Sequence, residues 1–492
     1  MLDLVLVNPG DKKQSYGKLG DNLAAIEPPL HIALLAAVLR EKGFAVTIID
    51  AEAESLDAAQ TVSRLAADPP RIVGLGLIGA NPSASSTPKM AAIRPLLEQI
   101  RETLPASRTV LFGIHPAALP GRTLQEEGCD FVIRGEAFDP LARLLETLTS
   151  GKNDFAIPGL WYRDNDQVID NGWTRLTADL DDLPAPAWDL LPMEKYRAHN
   201  WHCFDDLDHR SPYGVIYTSL GCPFHCTYCN VHALYDGRPG IRYRHPQQVV
   251  ADIDQLYRDY HVRHLKILDE LFVTPHRRLF EICDLLAERN YDLNIWAYAR
   301  VDTVSEKILQ QLKQAGVNWL AFGIEAGSPG VRAGVSKGRF DQQAVRRAVA
   351  MTHAAGISVI GNFMFGLPDD DLETMTATLD LAQSLACEYV NFYTTMAYPG
   401  SPLYEEARQQ GWELPDTWSG YAQLSPEAHP LPTKHLTAAR VLRFRDEAFA
   451  AYYEDPSYLE RIRAKFGDNA VAHIRQMMGI RLRRDLLESD PG

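Results

Sequence analysis

Several features of membrane, secreted and nucleic-acid-binding proteins are scarce in this sequence. No apolar run reaches the roughly 18 residues that a transmembrane helix needs. The N-terminus, MLDLVLVNPGDKK, lacks a basic segment followed by a long apolar core, so it does not read as a signal peptide. Cysteine is sparse and odd in number, seven in 492 residues, which argues against a disulfide framework. Positive charge is outweighed: 49 Lys and Arg face 64 Asp and Glu, a formal net charge of -15, so a broad phosphate-binding face for nucleic acid is disfavoured. The expected compartment is the cytoplasm, where thiols stay reduced and can bind metal. There is no internal repeat and no low-complexity tract.

What remains is ordinary globular material, 46% apolar and 23% charged. It is enough chain for about three domains. The first third alternates strand-like and helix-like segments. LDLVLVNPG, AVTIIDAEA, RIVGLGLIG, RTVLFGIHP and CDFVIRG read as strands. PPLHIALLAAVLREKGF and KMAAIRPLLEQIRETL carry helical periodicity. Such alternation predicts a doubly wound parallel α/β sheet over residues 1–150, with ligands beyond the carboxyl ends of its strands. The candidate ligand loops are residues 8–20, 78–87 and 113–120. Residues 151–205, rich in Pro and Asp, read as a linker with a short hairpin in GLWYRDNDQVIDNG.

Alternation resumes with GVIYTSLG, HLKILDE, LNIWAYAR, WLAFGIEAG, SVIGNFMFGLP and YVNFYTTM as strands, each but the last followed by a helical stretch. Six βα-type units are too few for a complete eight-unit barrel, so a partial (β/α)6 TIM-like barrel is expected over residues 206–400. Residues 401–492 read as a separate helical C-terminal element.

Three of the seven cysteines, Cys222, Cys226 and Cys229, crowd into CPFHCTYC, on the loop after the first barrel strand. That is the face on which barrel active sites are built. Thiolates at this spacing can hold three irons of a cubane cluster and leave the fourth iron open. Structural zinc is the alternative, closed by His225 or His232; so are three unrelated loop cysteines. The other four, Cys129, Cys203, Cys283 and Cys387, are isolated. Cys203 lies in NWHCFDDLDHR with His202 and His209 close by, a grouping that could hold a second metal.

CPFHCTYC matches the CxxxCxxC signature of the radical S-adenosylmethionine (SAM) superfamily. LDELF, AYAR, FGIEAGS, GNFMFGLP and YPGSPLYEEA follow in the order of that family's core. With the sheet domain placed directly before it, the chain resembles the cobalamin-dependent radical SAM enzymes over roughly residues 1–410. The resemblance implies a [4Fe-4S] cluster on Cys222, Cys226 and Cys229, whose open iron binds SAM and whose electron cleaves it to an adenosyl radical. It implies Tyr228 on the adenine side, Glu325 and Arg300 as polar contacts to SAM, and Gly323, Gly327 and Gly366 at close backbone approaches. Asp269 and Glu270 either face the site or cap the next helix. It implies cobalamin against the first-domain loops, with Asn8, Gly10, Gly113 and His115 as candidate contacts. His115 also reads as a hydrogen-bonded structural residue. Lys13 stands where many cobalamin domains carry a cobalt-ligating His, as in methylases whose cobalt lacks a lower imidazole.

The implied activity is methyl transfer to an unactivated carbon, or to phosphorus, of a small molecule. A non-methylating radical reaction, as in anaerobic porphyrin cyclases, is the alternative within enzymes. A non-catalytic metal- and ligand-binding protein is the alternative outside them. The implied electron donor is a flavodoxin or ferredoxin.

Overall fold

Apolar runs closed by Asn, Gly or Pro form the strands of two parallel sheets in the computed structural model, which describes residues 2–10, 23–79, 81–152, 154–338 and 340–489. Strands β1 (Leu4–Asn8), β2 (Val46–Asp50), β3 (Ile72–Leu77), β4 (Arg108–Gly113) and β5 (Phe131–Ile133) are parallel, in the order β2-β1-β3-β4-β5. All residues of β1 and β3 are buried, as continuous apolar runs in a sheet covered on both faces should be. On one face Val5, Val7, Val73 and Leu75 meet the helices Ala58–Ala67 and Ile93–Thr103. On the other, Leu4, Leu6, Ile72 and Phe112 meet the helix Leu30–Glu41. That helix has ten consecutive buried residues, because the segment after the sheet folds back over it and Ala187 donates its backbone N–H to the Ala33 carbonyl.

The hairpin in the expected linker is present, as β6 (Leu160–Asp164) and β7 (Gln167–Ile169), but it is not a free connection. It adds antiparallel to β5, so the first sheet has seven strands and reaches past residue 150. The reason is the unpaired edge of β5, whose backbone groups need partners. The loop after β1, including Lys13, lies outside the described residues.

The second sheet is the expected open barrel. β8 (Tyr213–Ile216) is followed by a small hairpin of β9 (Ser219–Leu220) with β10 (Arg242–Tyr243). Then come β11 (His264–Ile267), β12 (Asn294–Ala299), β13 (Val317–Glu325), β14 (Ser358–Phe365) and β15 (Tyr389–Thr394). The six long strands are parallel in the order β15-β14-β13-β12-β11-β8. Helices separate each pair from β8 to β15, and Ser305, Asp341 and Asp371 cap three of them with their side chains.

The C-terminal helices were expected to stand apart; instead they close the barrel's open side. Edge strand β15 presents unpaired backbone groups, and the helix Ala438–Tyr453 answers them. The Tyr453 hydroxyl donates to the Val390 carbonyl (2.7 Å) and accepts from the Val390 N–H (3.1 Å), and Arg445 Nε donates to the Phe392 carbonyl (2.8 Å). Tyr452 and Tyr458 do the same for the Cys387 and Glu388 carbonyls. Further along, Trp418 packs its ring against His115 and donates to Glu127 of the first domain.

A buried ion pair ties the segment before the helix Leu30–Glu41 to the second sheet. Lys266 Nζ, on β11, lies 2.9 Å from Glu27 Oε2, and the two side chains are only 2% and 6% exposed. Burial pushes the Glu27 carboxyl up, but Lys266 and His199 outweigh it and hold it below the ordinary range.

Some buried groups have no such partner, His31 among them. His31, packed between Phe112 and Phe138, has no hydrogen bond at either ring nitrogen. Burial holds its pKa down to about 4, against 6.5 when exposed. The unfolded chain therefore takes up this proton near pH 6.5 and the folded chain only near 4, so the neutral-ring stability is present above 6.5 and lost on acidification. Each pH unit in that window costs up to about 1.4 kcal/mol. His31→Leu should make the fall of the urea midpoint across the window shallower; an unchanged slope would contradict this origin.

Candidate active site and cofactor loops

The cysteine loop starts where β9 ends and is held from below by two adjacent carboxylates after β11. Asp269, fully buried, accepts from the Thr218 N–H (2.6 Å), the Thr218 hydroxyl and the Ser219 hydroxyl (2.6 Å). Glu270 lies beside the Gly221 N–H, immediately before Cys222, and its Oε2 has no hydrogen-bond partner among the described residues. Burial pushes Glu270 up to about 8. Neither caps the following helix, whose N-terminal flank is Pro275. Both position the loop.

Beyond them the loop is tied to its surroundings by backbone bonds. Gly240 N–H donates to the Cys222 carbonyl, Cys229 N–H to the Cys226 carbonyl and Thr227 N–H to the Val335 carbonyl. None of the three forms a disulfide, and all three are partly exposed. Burial raises Cys222 to about 11. Among the described residues, these three sulfurs form no group gathered within 4.8 Å, the reach of a single ion. That donor set, spread wider than one ion needs, fits a polynuclear cluster better than zinc. His232 Nε2 lies 2.8 Å from the Phe224 carbonyl, and its buried Nδ1 has no hydrogen-bond partner among the described residues.

Opposite the loop, β13 ends in Glu325, which holds a left-handed backbone (φ 66°) at an irregularity of the β13–β14 register. Its carboxylate lies 2.7 Å from Lys337 Nζ and close to the Tyr228 side chain. Burial pushes the Lys337 ammonium down, but the charges of Glu325 and Cys226 more than reverse it. Arg300 chelates Asp302 through Nε and Nη2, donates from Nη2 to the Lys337 carbonyl (2.7 Å), and lies 3.8 Å over the Phe224 ring. Among the described residues, its hydrogen bonds run through Nε and Nη2 and none through Nη1. Lys337 joins three residues read from the sequence, Tyr228, Arg300 and Glu325. It was missed because its only local signal is a lysine beside Gly338 in a short loop.

The glycines divide. A Cβ on Gly323 would come 2.5 Å from Lys337 Nζ and 2.7 Å from Glu325 Oε1, so this glycine makes room for the ion pair. Gly327 and Gly366 instead admit the chain's own elements: a Cβ would strike the Ala377 carbonyl at 2.5 Å and Val441 at 2.4 Å. The expected backbone approach at these two is therefore to a helix of the barrel and to the C-terminal helix.

In the first domain, Asn8 Nδ2 donates to Asp50 Oδ1 (2.8 Å), the Tyr196 hydroxyl donates to Asp50 Oδ2 (2.7 Å), and Lys89 Nζ donates to Asn8 Oδ1 and the Pro9 carbonyl. Asn8 is thus bound into a buried polar knot at the strand ends. Gly10 lies against β2, where a Cβ would come 3.1 Å from the Ala51 carbonyl; Gly113 (φ 118°) lies so close to Leu77 that no Cβ fits. His115 is buried, its Nδ1 3.3 Å from Thr87 Oγ1, and burial holds it down to about 3, so its ring is neutral.

These two sets of loops meet. A Cβ on Gly400 would fall between the Cβ atoms of Ala118, after β4, and Ala233, after the cysteines. Asn81, after β3, lies beside Tyr393 on β15.

The family model for the B12 binding domain matches residues 17–145, and that of the radical SAM superfamily matches residues 216–382. The chain belongs to the cobalamin-dependent radical SAM enzymes. In this family the cofactors are a [4Fe-4S] cluster, SAM and cobalamin; the three cysteines suit the cluster, and Arg300 and Glu325 are of the charge that SAM's carboxylate and ammonium need. An uncharacterized methyltransferase of Pyrococcus horikoshii is 29% identical over 88% of this chain and 89% of its own. The cytidylyl-2-hydroxyethylphosphonate methyltransferase of Streptomyces wedmorensis is 24% identical over 79% of each. The anaerobic magnesium-protoporphyrin IX monomethyl ester cyclase of Rubrivivax gelatinosus is 26% identical over 80% of this chain and 68% of that one. Among solved structures, the radical SAM methyltransferase TsrM of Kitasatospora setae superposes with a TM-score of 0.71 at 17% identity, over 97% of this chain and all of that one. The cobalamin-dependent enzyme OxsB does so at 0.70 and 15%, over 96% and 72%. At such identities the likeness is one of fold.

The carboxylates under the cysteine loop can be tested directly. Asp269→Ala leaves two hydroxyls and a backbone N–H without their acceptor in a dry site, each costing about 1–3 kcal/mol. A lowered thermal midpoint and less iron per chain after anaerobic reconstitution are expected. Iron content equal to the parent's would show that the loop holds its shape without Asp269.

Proposed function

We propose that this cobalamin-dependent radical SAM enzyme transfers methyl groups to an unactivated carbon, or to phosphorus, of a small molecule. The observation that carries the reading is the meeting of the first-domain loops with the cysteine loop, at Ala118, Ala233 and Gly400 and at Asn81 with Tyr393, which would bring a methyl carrier next to a radical source. When bound, the cluster supplies the electron that cleaves SAM, and cobalamin supplies the methyl group.

The chain's own contribution is positioning. Cys222, Cys226 and Cys229 hold iron, and Asp269 and Glu270 fix their loop. Glu325, with one side already satisfied by Lys337, accepts from the SAM ammonium or ribose. Arg300 offers its Nη1 to the SAM carboxylate, and Tyr228 shields the adenine side. Glu270 Oε2, buried and without a hydrogen-bond partner among the described residues, holds a proton at neutral pH beside the cysteines. Asn8, Gly10, Gly113 and His115 form the floor against which cobalamin rests. None of these four supplies cobalt with a charged ligand, and the neutral His115 is already engaged with Thr87 and Trp418. Reducing equivalents come from a flavodoxin or ferredoxin in the cytoplasm. Of the described residues, no helix is long and apolar enough to cross a membrane.

The test is transfer of label from methyl-labelled SAM by the anaerobically reconstituted chain. Replacing Cys222, Cys226 and Cys229 together with Ala should abolish SAM cleavage and the broad visible absorbance of the cluster. A four-iron cluster retained in that variant would sink the assignment. Cleavage of SAM without methyl transfer to any acceptor, at full cobalamin loading, would favour the cyclase-like alternative.

A second measurement addresses SAM itself. Glu325→Gln and Arg300→Lys should each weaken SAM binding with iron unchanged, the loss of one charge-assisted hydrogen bond being on the order of 1.5–3 kcal/mol. Parent-like affinity in both variants would remove these residues from the SAM site.

A further inference from the structure

The opposite end of the barrel, where its strands begin, holds a group that the radical chemistry does not use. His202 and Cys203 lie in the turn Trp201–Cys203 that precedes β8, and His264 opens β11. One ligand atom from each lies within 4.8 Å of the others, and this is the one such group of His, Cys, Asp or Glu among the described residues. The sequence placed His202 and His209 beside Cys203. The structure replaces the His209 ring, which turns out to Asp206, with the distant His264.

The details are those of a ligand set. His264 Nε2 donates to the His209 carbonyl (2.7 Å). That fixes the proton on Nε2 and turns the Nδ1 lone pair toward Cys203 Sγ, 3.5 Å away, with a long contact from Asn294 Nδ2 (3.3 Å). A histidine oriented by a backbone carbonyl at its far nitrogen is the usual outer support of a metal-ligating imidazole. His202 is fully buried, and neither of its ring nitrogens has a hydrogen-bond partner. His31 is also buried without partners, but it faces phenylalanines. What distinguishes His202 is a thiol and a second, pre-oriented imidazole within reach.

We propose that His202, Cys203 and His264 hold a single thiophilic d10 cation, Zn2+ or Cu+, that ties the segment between the domains to the base of the barrel. Two imidazoles and one thiolate suit both ions, and the lack of any carboxylate in the set disfavours Mg2+ and Ca2+. Binding replaces the Cys203 S–H proton by the metal and releases that proton to solvent. Zn2+ completes its shell with a fourth ligand such as water, whereas Cu+ with one thiolate leaves a three-coordinate site of zero net charge, which suits a buried position.

The full chain, reconstituted with cluster and cobalamin, is incubated anaerobically with Zn2+ or with Cu+, desalted, and analysed for metals. The expected result is a single equivalent of one of the two ions beyond the cluster iron and the cobalt. Its X-ray absorption fine structure should show one sulfur and two imidazole nitrogens. Cys203→Ser should lose the ion and the sulfur signal while iron stays unchanged. The Cys222, Cys226 and Cys229 triple Ala variant should keep both. Failure to retain either ion would overturn the proposal. So would retention with an unchanged sulfur shell in Cys203→Ser, since the ion would then sit on the cluster cysteines.

Discussion

An unclosed barrel is the constraint around which this molecule is arranged. Six parallel strands cannot bring their ends together, so two edges and one rim stay open, and an open edge leaves backbone groups without partners. The C-terminal helix answers β15 group by group through Tyr453 and Arg445. The rim is covered by the first domain, whose strand ends carry the loops that descend on it. The open side that the fold must cover is also the space in which two large cofactors can be placed face to face. A closed eight-stranded barrel would have no such need for a lid.

The polar residues near the rim share a logic. Nearly every buried charge there is spent on holding another element in place. Asp269 holds the turn before the cysteines, Lys337 holds Glu325, and Asp50 gathers Asn8 and Tyr196. The exceptions are therefore informative. Among the described residues, Arg300 keeps one side of its guanidinium uncommitted, and Glu270 keeps one oxygen. Both lie where the cysteine loop and the barrel strands converge.

The fold was legible where structure is local. Strand and helix periods, and the Asn, Gly and Pro that end them, gave both parallel sheets and the unit count of the barrel. The cysteines were legible because three ligands of one cluster sit within eight residues. What escaped depends on partners far apart in the chain. The hairpin at 160–169 carries no mark that it will pair with β5. Nothing in FRDEAFAAYY says that its arginine and tyrosine will cap a strand 53 and 63 residues earlier. His264 reads as the first residue of an ordinary strand until Cys203 is set beside it. Gly327 and Gly366 carried a motif reading, yet the space they leave is filled by the chain itself.

The buried pair of Glu27 and Lys266 has a consequence in time as well as in space. Its two members are 239 residues apart. A chain made at about 5–20 residues per second exposes Glu27 roughly 10–50 s before Lys266 exists. For that interval the first sheet can complete β1 to β5 with a carboxylate waiting at its surface, hydrated and harmless. Only when β11 emerges does that surface become an interior, and the charge that kept it wetted becomes the one that selects its partner.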